Sequence, residues 1–555
     1  MGDWQALAAA HRAKQNESIP AEWRLDKNLL AEISGEGTDD AGRLVRSQAV
    51  KKSRLLTEKE LEITDNFTAT QLLDKIARRE LTSLEVATAF CKRAALAQQL
   101  TSCLTEIFFD EGIEHAKWLD KYLQEEGHVV GRLHGLPISL KDSFIVKGQH
   151  ATVGYVEALR RPLLDDTSTL VDMLLDAGAI IYCKTNVPQT MMTADSENNL
   201  FGRTLNPHNT KLTAGGSTGG EGALLAFKGS PLGVGTDIAG SIRIPSLCCG
   251  IYGFKPTAER VPFSGNTRGP FPRLRIPGGV IPAAGPMGNS VEDLELFMRV
   301  ITDMRPWKYD ATVHDVPWRR QETAGGKVLT IGVLPEDETY RLQPPVRRAL
   351  DSAVEALARA GHKIVHLPRD DSRSVALGAV LGFYCFGLGG PPLDNLEEEF
   401  KEPLIPSVKR GVHPFGSASF SIPQDLDFPQ LLDRITGARS EYSDSWKRTW
   451  ITHDLDVIIG PGAQHTAVPH DTYGNPVYTL VWNVLDYPAG IIPYEEVRKE
   501  HDPHHVKATA PFDPHYDPEE LHGAPCALQI VTPRFRDEEC LSAMRIIDEV
   551  LHRKQ

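Results

Sequence analysis

Gly215-Gly216-Ser217-Thr218-Gly219-Gly220-Glu221-Gly222-Ala223 and, just beyond it, Gly233-Val234-Gly235-Thr236-Asp237-Ile238-Ala239-Gly240-Ser241-Ile242-Arg243-Ile244-Pro245 form the most informative stretch of the chain. Glycine at this density marks tight backbone, left-handed φ or close approach to a ligand. Three readings compete. A phosphate-binding loop of the GxxxxGK type needs a lysine after its last glycine, and no lysine follows Gly220. A nucleophile elbow fits the letters Gly215-x-Ser217-x-Gly219, but that motif belongs directly after a buried strand, and residues 208–213 are polar. The third reading joins Ser217 and Ser241 to a distant lysine.

Residues 131–144 supply that lysine. Leu136, Ile138 and Leu140 alternate with Pro137, Ser139 and Lys141, so a strand here turns the two sets to opposite faces. Outward from this centre, helix and strand signals alternate, the pattern of an α/β fold. Leu170, Val171, Leu174 and Leu175 share one helical face over residues 168–177, with Thr167 or Ser168 as the cap and Gly178 as the stop, and the strand-like 179–183 follows. The unit recurs in the stripe Val346, Leu350, Val354 and Leu357, ended by Gly361 and followed by Ile364-Val365. Residues 327–334, 455–459 and 527–531 read as buried strands. Thr82 with Glu85, and Ser290 with Asp293, read as capping boxes that open helices.

The composition narrows the class. With 555 residues, 41% hydrophobic and 24% charged, the chain has the make-up of a soluble globular protein. Its formal net charge of −14 makes it a poor partner for nucleic-acid phosphates or anionic lipid. The eight cysteines include no CxxC pair, only the vicinal Cys248-Cys249, which reads as two buried thiols rather than a metal or disulfide framework. Residues 6–10 are too short an apolar run for a signal peptide, Met1-Gly2 lacks Ser or Thr at position 6, and His552-Arg553-Lys554-Gln555 is neither a prenylation nor a peroxisomal signal. The apolar run 375–388, stopped by Gly389-Gly390-Pro391-Pro392, falls short of the ~18 residues a membrane span needs and reads as a core segment. The expectation is a cytoplasmic protein without stable membrane insertion. Residues 1–65 differ in texture and read as a helical extension wrapped on a main domain of residues 66–555. The loop 499–520 and its edge carry His501, His504, His505, His515 and His522 at spacings that fit no zinc signature.

Taken together, these segments resemble the amidase signature family, most closely its fungal acetamidase and general amidase branch, with fatty-acid amide hydrolases as near relatives. The likeness runs from about residue 65 to the C-terminus. It includes Lys184-Thr185-Asn186-Val187-Pro188-Gln189-Thr190-Met191, residues 478–488, and Gly523-Ala524-Pro525-Cys526-Ala527-Leu528-Gln529. The resemblance implies a single α/β/α sandwich around a large mixed β-sheet. It implies an amidase, free of cofactor and metal, that hydrolyses small aliphatic or aryl carboxamides to carboxylic acid and ammonia. Fatty amides, or glutamine within a transamidation complex, are the alternative substrates, and a homodimer is a possible assembly in such a family.

The same resemblance assigns roles. Ser241 is the implied nucleophile and Ser217 the proton relay, joined to Gly216 by a cis peptide bond. Lys141 is the implied base, which burial must lower from ~10.4 towards ~7–8. The N–H groups of Ile238, Ala239, Gly240 and Ser241 are the implied oxyanion hole, and Met191 and Ser217 contact the substrate. Asp237 and Arg243 read as a buried pair that stiffens the loop. Two positions depart from the usual pattern. Thr218 stands for a second serine, and Ala239 stands for a frequent glycine, which demands an ordinary φ there.

Overall fold

Short aliphatic runs bounded by glycine and proline become strands covered on both faces, and they join into one mixed sheet of eleven strands. The computed structural model describes residues 3–553 apart from 36, 38–40, 268–278, 320–326, 388–396, 398–400, 411–419, 424 and 510–511. Its strands are β1 (Leu104–Ile107), β2 (Pro137–Lys141), β3 (Ile180–Thr185), β4 (Glu197–Asn198), β5 (Gly202–Arg203), β6 (Leu232–Asp237), β7 (Tyr252–Lys255), β8 (Ala283–Gly288), β9 (Thr330–Val333), β10 (Lys363–His366), β11 (Val457–Pro461), β12 (Ala489–Glu496) and β13 (Pro525–Val531). The large sheet runs β1-β3-β2-β6-β8-β7-β12-β13-β11-β9-β10, and β4 pairs with β5 apart from it. Pairing is parallel across β3-β2-β6 and β11-β9-β10 and antiparallel through the middle. The fold is therefore the α/β sandwich around a large mixed sheet that the sequence implies.

Helices close both faces. On one, Ile138, Leu140, Leu232, Val234, Phe297, Ile530 and Leu541 form a continuous core. On the other, Leu104, Cys183, Leu224, Leu247, Ile491 and Cys526 do the same, and Ile19, Trp23, Ile33 and Leu44 of the N-terminal segment share that core. The helix Asp3–Glu17 is tied down by His11 Nε2 on Glu106 Oε1 at 2.9 Å and by Gln15 Nε2, which donates to Leu104 O at 2.8 Å. A third core gathers Leu381, Tyr442, Trp446, Ile458, Tyr478 and Trp482 around the helix Val375–Gly387. That helix is the apolar run noted above, whose end at 388–392 lies outside the described residues, as do Met1, Gly2, Lys554 and Gln555 of the terminal motifs. Among the described residues no helix is long and apolar enough to cross a membrane.

Local expectations meet two corrections. The capping box Thr82/Glu85 forms in full, but at the helix Val291–Asp303 only Ser290 caps, and Asp293 turns its carboxylate to the Thr70 N–H instead. The helix Thr169–Asp176 has no side-chain cap. Ser168 Oγ donates to Gly265 O at 2.7 Å and accepts from Ile145 N–H, so tertiary partners outcompete the helix end.

Candidate active site

β2 and β6 are parallel neighbours in the register Ile138↔Leu232 and Leu140↔Val234, so their C-terminal ends open on one edge of the sheet. Parallel strands bind ligands beyond that edge. Lys141, the last residue of β2, reaches across it. Its Nζ donates to Thr236 Oγ1 on β6 at 2.8 Å and to Ser217 Oγ at 2.7 Å. Lys141 is fully buried and makes no ion pair among the described residues. Burial pushes its ammonium down to about 7, against the opposing pull of Asp237 and Glu221. Ser217 sits just before the helix Gly219–Ala226, and its peptide bond with Gly216 is cis. Ser241 lies in the turn between β6 and the helix Arg243–Cys249, 8% exposed at the floor of a cleft.

Asp237 and Arg243 organise that turn. Arg243 Nε donates to Asp237 Oδ2 at 3.0 Å and Nη2 to Oδ1 at 2.9 Å, with both side chains fully buried. The other guanidinium hydrogens go to Thr479 O, Gln529 Oε1 and Asn483 Oδ1 at 2.6–2.9 Å. Burial would raise Asp237, and the Arg243 charge outweighs it, with Lys255 and Asn483 adding to the effect, so the carboxyl is held at about 2. The same carboxylate accepts from Gly240 N–H at 2.8 Å and Ile242 N–H at 3.2 Å. This amends the expected set of donors: Gly240 spends its N–H on Asp237. The N–H groups of Ile238, Ala239 and Ser241 donate to no acceptor among the described residues. The strained φ of the turn falls at Gly240 (+129°), and Ala239 has an ordinary one.

The cleft above Ser241 has a cavity volume of about 100 Å³ and is open to solvent at its mouth. Met191, Ile238, Ala239, Ile244, Phe383 and Phe386 give it apolar walls, and Arg410, Asp471 and Asn475 line its polar side. Arg410 Nη1 donates to Asp471 O. Ser217, 2% exposed, stands beside the lining residue Gly216.

The family model for amidases matches residues 85–541. The chain is 39% identical to an amidase of Gibberella moniliformis over 99% of both chains. It is 36% identical to the acetamidase of Emericella nidulans over 99% of this chain and 98% of that one. Among solved structures, a fatty acid amide hydrolase superposes with a TM-score of 0.84 at 31% identity, covering 99% of this chain and 95% of the other. The chain belongs to the amidase signature family. It is a hydrolase acting on amides.

In this amidase several site residues were invisible to sequence reasoning as functional groups. Thr236 pins Lys141, yet an isolated threonine in a glycine-rich strand carries no signal. Asp142 holds the end of β2 by accepting from Thr105 Oγ1 at 2.8 Å, Thr152 Oγ1 at 3.0 Å and Val153 N–H at 2.6 Å, with Lys184 Nζ at 3.5 Å. Its place beside Lys141 was the available clue. Thr479, Asn483 and Gln529 fall inside the family-like segments 478–488 and 523–529, which explains what those segments do: they receive Arg243. The histidine-rich loop stays apart from the cleft, with His501, His504, His505 and His515 exposed. Cys248 and Cys249 are buried free thiols raised by burial, which makes them poor nucleophiles.

Proposed function

We propose that this amidase hydrolyses small aliphatic or aryl carboxamides through an acyl-Ser241 intermediate, RCONH2 + H2O → RCOOH + NH3, with Ser217 and Lys141 moving the protons. The observation that carries the reading is the buried Lys141, which pairs with no carboxylate among the described residues and sets its amine on Ser217 Oγ, beside the cleft that Ser241 floors. A lysine near 7 is a competent base at neutral pH, where an ordinary lysine is nearly all charged.

In this mechanism Lys141 draws the Ser217 proton while Ser217 takes that of Ser241, whose oxygen attacks the amide carbon. Negative charge builds on the carbonyl oxygen, and the Ile238, Ala239 and Ser241 N–H groups are the donors available to meet it. Lys141, now an ammonium, returns its proton through Ser217 to the leaving nitrogen, because an unprotonated amide ion leaves poorly. Water then attacks the acyl-Ser241 ester by the same relay, releasing the acid. Asp237 and Arg243 hold the turn and take no proton.

The cleft volume and the acetamidase relative support a small acyl group. A second reading, longer acyl chains, draws on the fatty acid amide hydrolase likeness and on the aromatic wall of Phe383 and Phe386. Ammonia release by the purified chain, measured from acetamide through hexadecanamide with benzamide and glutamine alongside, separates the two by chain-length profile. Release that survives Ser241→Ala overturns the assigned nucleophile.

A further inference from the structure

The turn that carries Ser241 has one peptide plane held at both ends. Gly240 N–H donates to Asp237 Oδ1 at 2.8 Å, and the carbonyl oxygen of the same plane, Ala239 O, accepts from Thr479 Oγ1 at 2.6 Å. Thr479 is fully buried on the helix Val477–Val484, 240 residues along the chain from Ala239. Its hydroxyl hydrogen has a second acceptor at 3.1 Å, Pro476 O, which already receives Leu480 N–H at 2.9 Å. Ala239 O is nearer, and it accepts from no other donor among the described residues. The helix that presents Thr479 is itself fastened to the turn, because Arg243 Nη1 donates to Thr479 O at 2.9 Å.

We propose that Thr479 is a positioning residue for the oxyanion hole, its hydroxyl locking the Ala239–Gly240 peptide so that the Ala239 and Ser241 N–H groups on either side keep their aim. The inference rests on Ser241 being the nucleophile of the proposed reaction.

A peptide plane turns about the dihedrals on its two sides, here ψ of Ala239 and φ of Gly240. Glycine restrains φ little, and Gly240 stands at +129°, so no side chain of its own opposes a turn of the plane. The adjoining planes carry the Ala239 N–H and the Ser241 N–H, and neither group donates to an acceptor among the described residues. The Gly240–Ser241 plane has a tie of its own, since Gly240 O accepts from Ile244 N–H at 2.6 Å. The Ile238–Ala239 plane makes no hydrogen bond among the described residues, so its aim is inherited from the plane that Thr479 holds. The hold at the other end is divided, because Asp237 Oδ1 also receives Arg243 Nη2 and Asn483 Nδ2. An oxyanion hole works by having its donors in place before the charge appears, and a displacement of about 1 Å can cost about 100-fold in rate. Without the Thr479 hydroxyl, the Ala239 N–H is the donor that wanders first.

The test is labelling by a fluorophosphonate, in which Ser241 Oγ bonds to phosphorus, fluoride leaves and the phosphoryl oxygen gains the charge that an amide oxygen would. It needs no knowledge of the natural amide, and saturation kinetics separate binding of the reagent from bond formation. Thr479→Val keeps the shape of the side chain and loses the hydroxyl. It is expected to slow bond formation about 10–100-fold with binding within about 2-fold, short of the about 10²–10³ that loss of a whole donor costs. Thr479→Ser keeps the donor and is expected to stay within about 3-fold of the wild type. Bond formation at the wild-type rate in Thr479→Val, an equal loss in Thr479→Ser, or a loss carried mainly by binding overturns the role of Thr479. Should Thr479→Val fail to fold, Thr479→Ala carries the same expectation, and wild-type labelling of it refutes the proposal. Ser241→Ala is expected to be silent throughout, and its labelling at the wild-type rate overturns the nucleophile assignment instead.

Discussion

Lys141 Nζ stands 2.7 Å from Ser217 Oγ and pairs with no carboxylate among the described residues. A buried cation without a counterion is costly, and the molecule avoids that cost by releasing the proton at about 7. With Lys141 as the proposed base, activity is expected to follow the neutral amine. Below about 7 Lys141 is an ammonium and cannot accept a proton, so kcat/KM falls with acid and rises to a plateau on the alkaline side. Lys141→Arg, charged at every accessible pH, loses about 10²–10⁴-fold. A pH profile on a neutral amide checks both, and a flat profile across neutrality defeats the assignment.

Gly240 is required on two independent grounds. Its φ of +129° disfavours any side chain, and a Cβ there would come within 2.2 Å of Thr479 Oγ1. Thr479 cannot easily retreat, because its hydroxyl donates to Ala239 O at 2.6 Å. Gly240→Ala is expected to cost about 1–3 kcal/mol and to displace the Ala239 and Ser241 N–H groups. Loss of one such donor lowers kcat by about 10²–10³-fold. Chemical denaturation beside steady-state kinetics separates the effects, and near-normal kcat would mean the turn plays no part in holding the oxyanion.

How far the sequence reveals this arrangement depends on whether a residue's partner is local. Lys141, Ser217 and Ser241 are legible because they sit in dense, ordered motifs. The strands are legible because burial on both faces leaves continuous apolar runs such as 180–183. What stays hidden is decided between distant segments. Ser168 looks like a helix cap until Gly265 O claims it, and Asp293 looks like half of a capping box until Thr70 does. Gly240 looks like an oxyanion donor until the carboxylate three residues earlier accepts its N–H. In each case two groups compete for one hydrogen bond, and only the folded geometry picks the winner.

Arg243 and Asp237 stand or fall together. Arg243→Met strips five hydrogen bonds from a fully buried guanidinium and leaves Asp237 charged and uncompensated. That class of change costs about 3–5 kcal/mol. Asp237 is held at about 2 in the fold, so its contribution is present above the ordinary carboxyl range and is lost as pH falls towards about 2. The variant is expected to lose that acid-side slope of stability. Adding Asp237→Asn to Arg243→Met recovers part of the loss by removing the stranded charge. Denaturant midpoints over the acidic range measure all three, and a double variant weaker than the single one contradicts this account.

Glu402 shows the opposite sign. It is 3% exposed and accepts from Val156 N–H at 3.2 Å and Gln189 Nε2 at 3.4 Å. Gln189 in turn takes Ile405 N–H at 3.0 Å, so this knot fastens the segment that carries Ser407 and Arg410 to the cleft. Burial raises Glu402 to about 7 against those donors, and no cation pairs with it among the described residues. Below the ordinary range of a free glutamate, folded and unfolded chains are both protonated and the group is neutral in effect. As pH rises towards about 7, the unfolded chain ionises first and stability drains away, and above about 7 the whole loss remains. Glu402→Gln cannot ionise and keeps an oxygen for Val156. It is expected to match the wild type in acid and to exceed it by about 1–3 kcal/mol on the alkaline side. The wild type is also expected to lose substrate affinity there as the segment loosens, with KM flat in the variant. Parallel Tm and KM profiles test this, and equal pH slopes in the two proteins would show that Glu402 is already ionised in the fold.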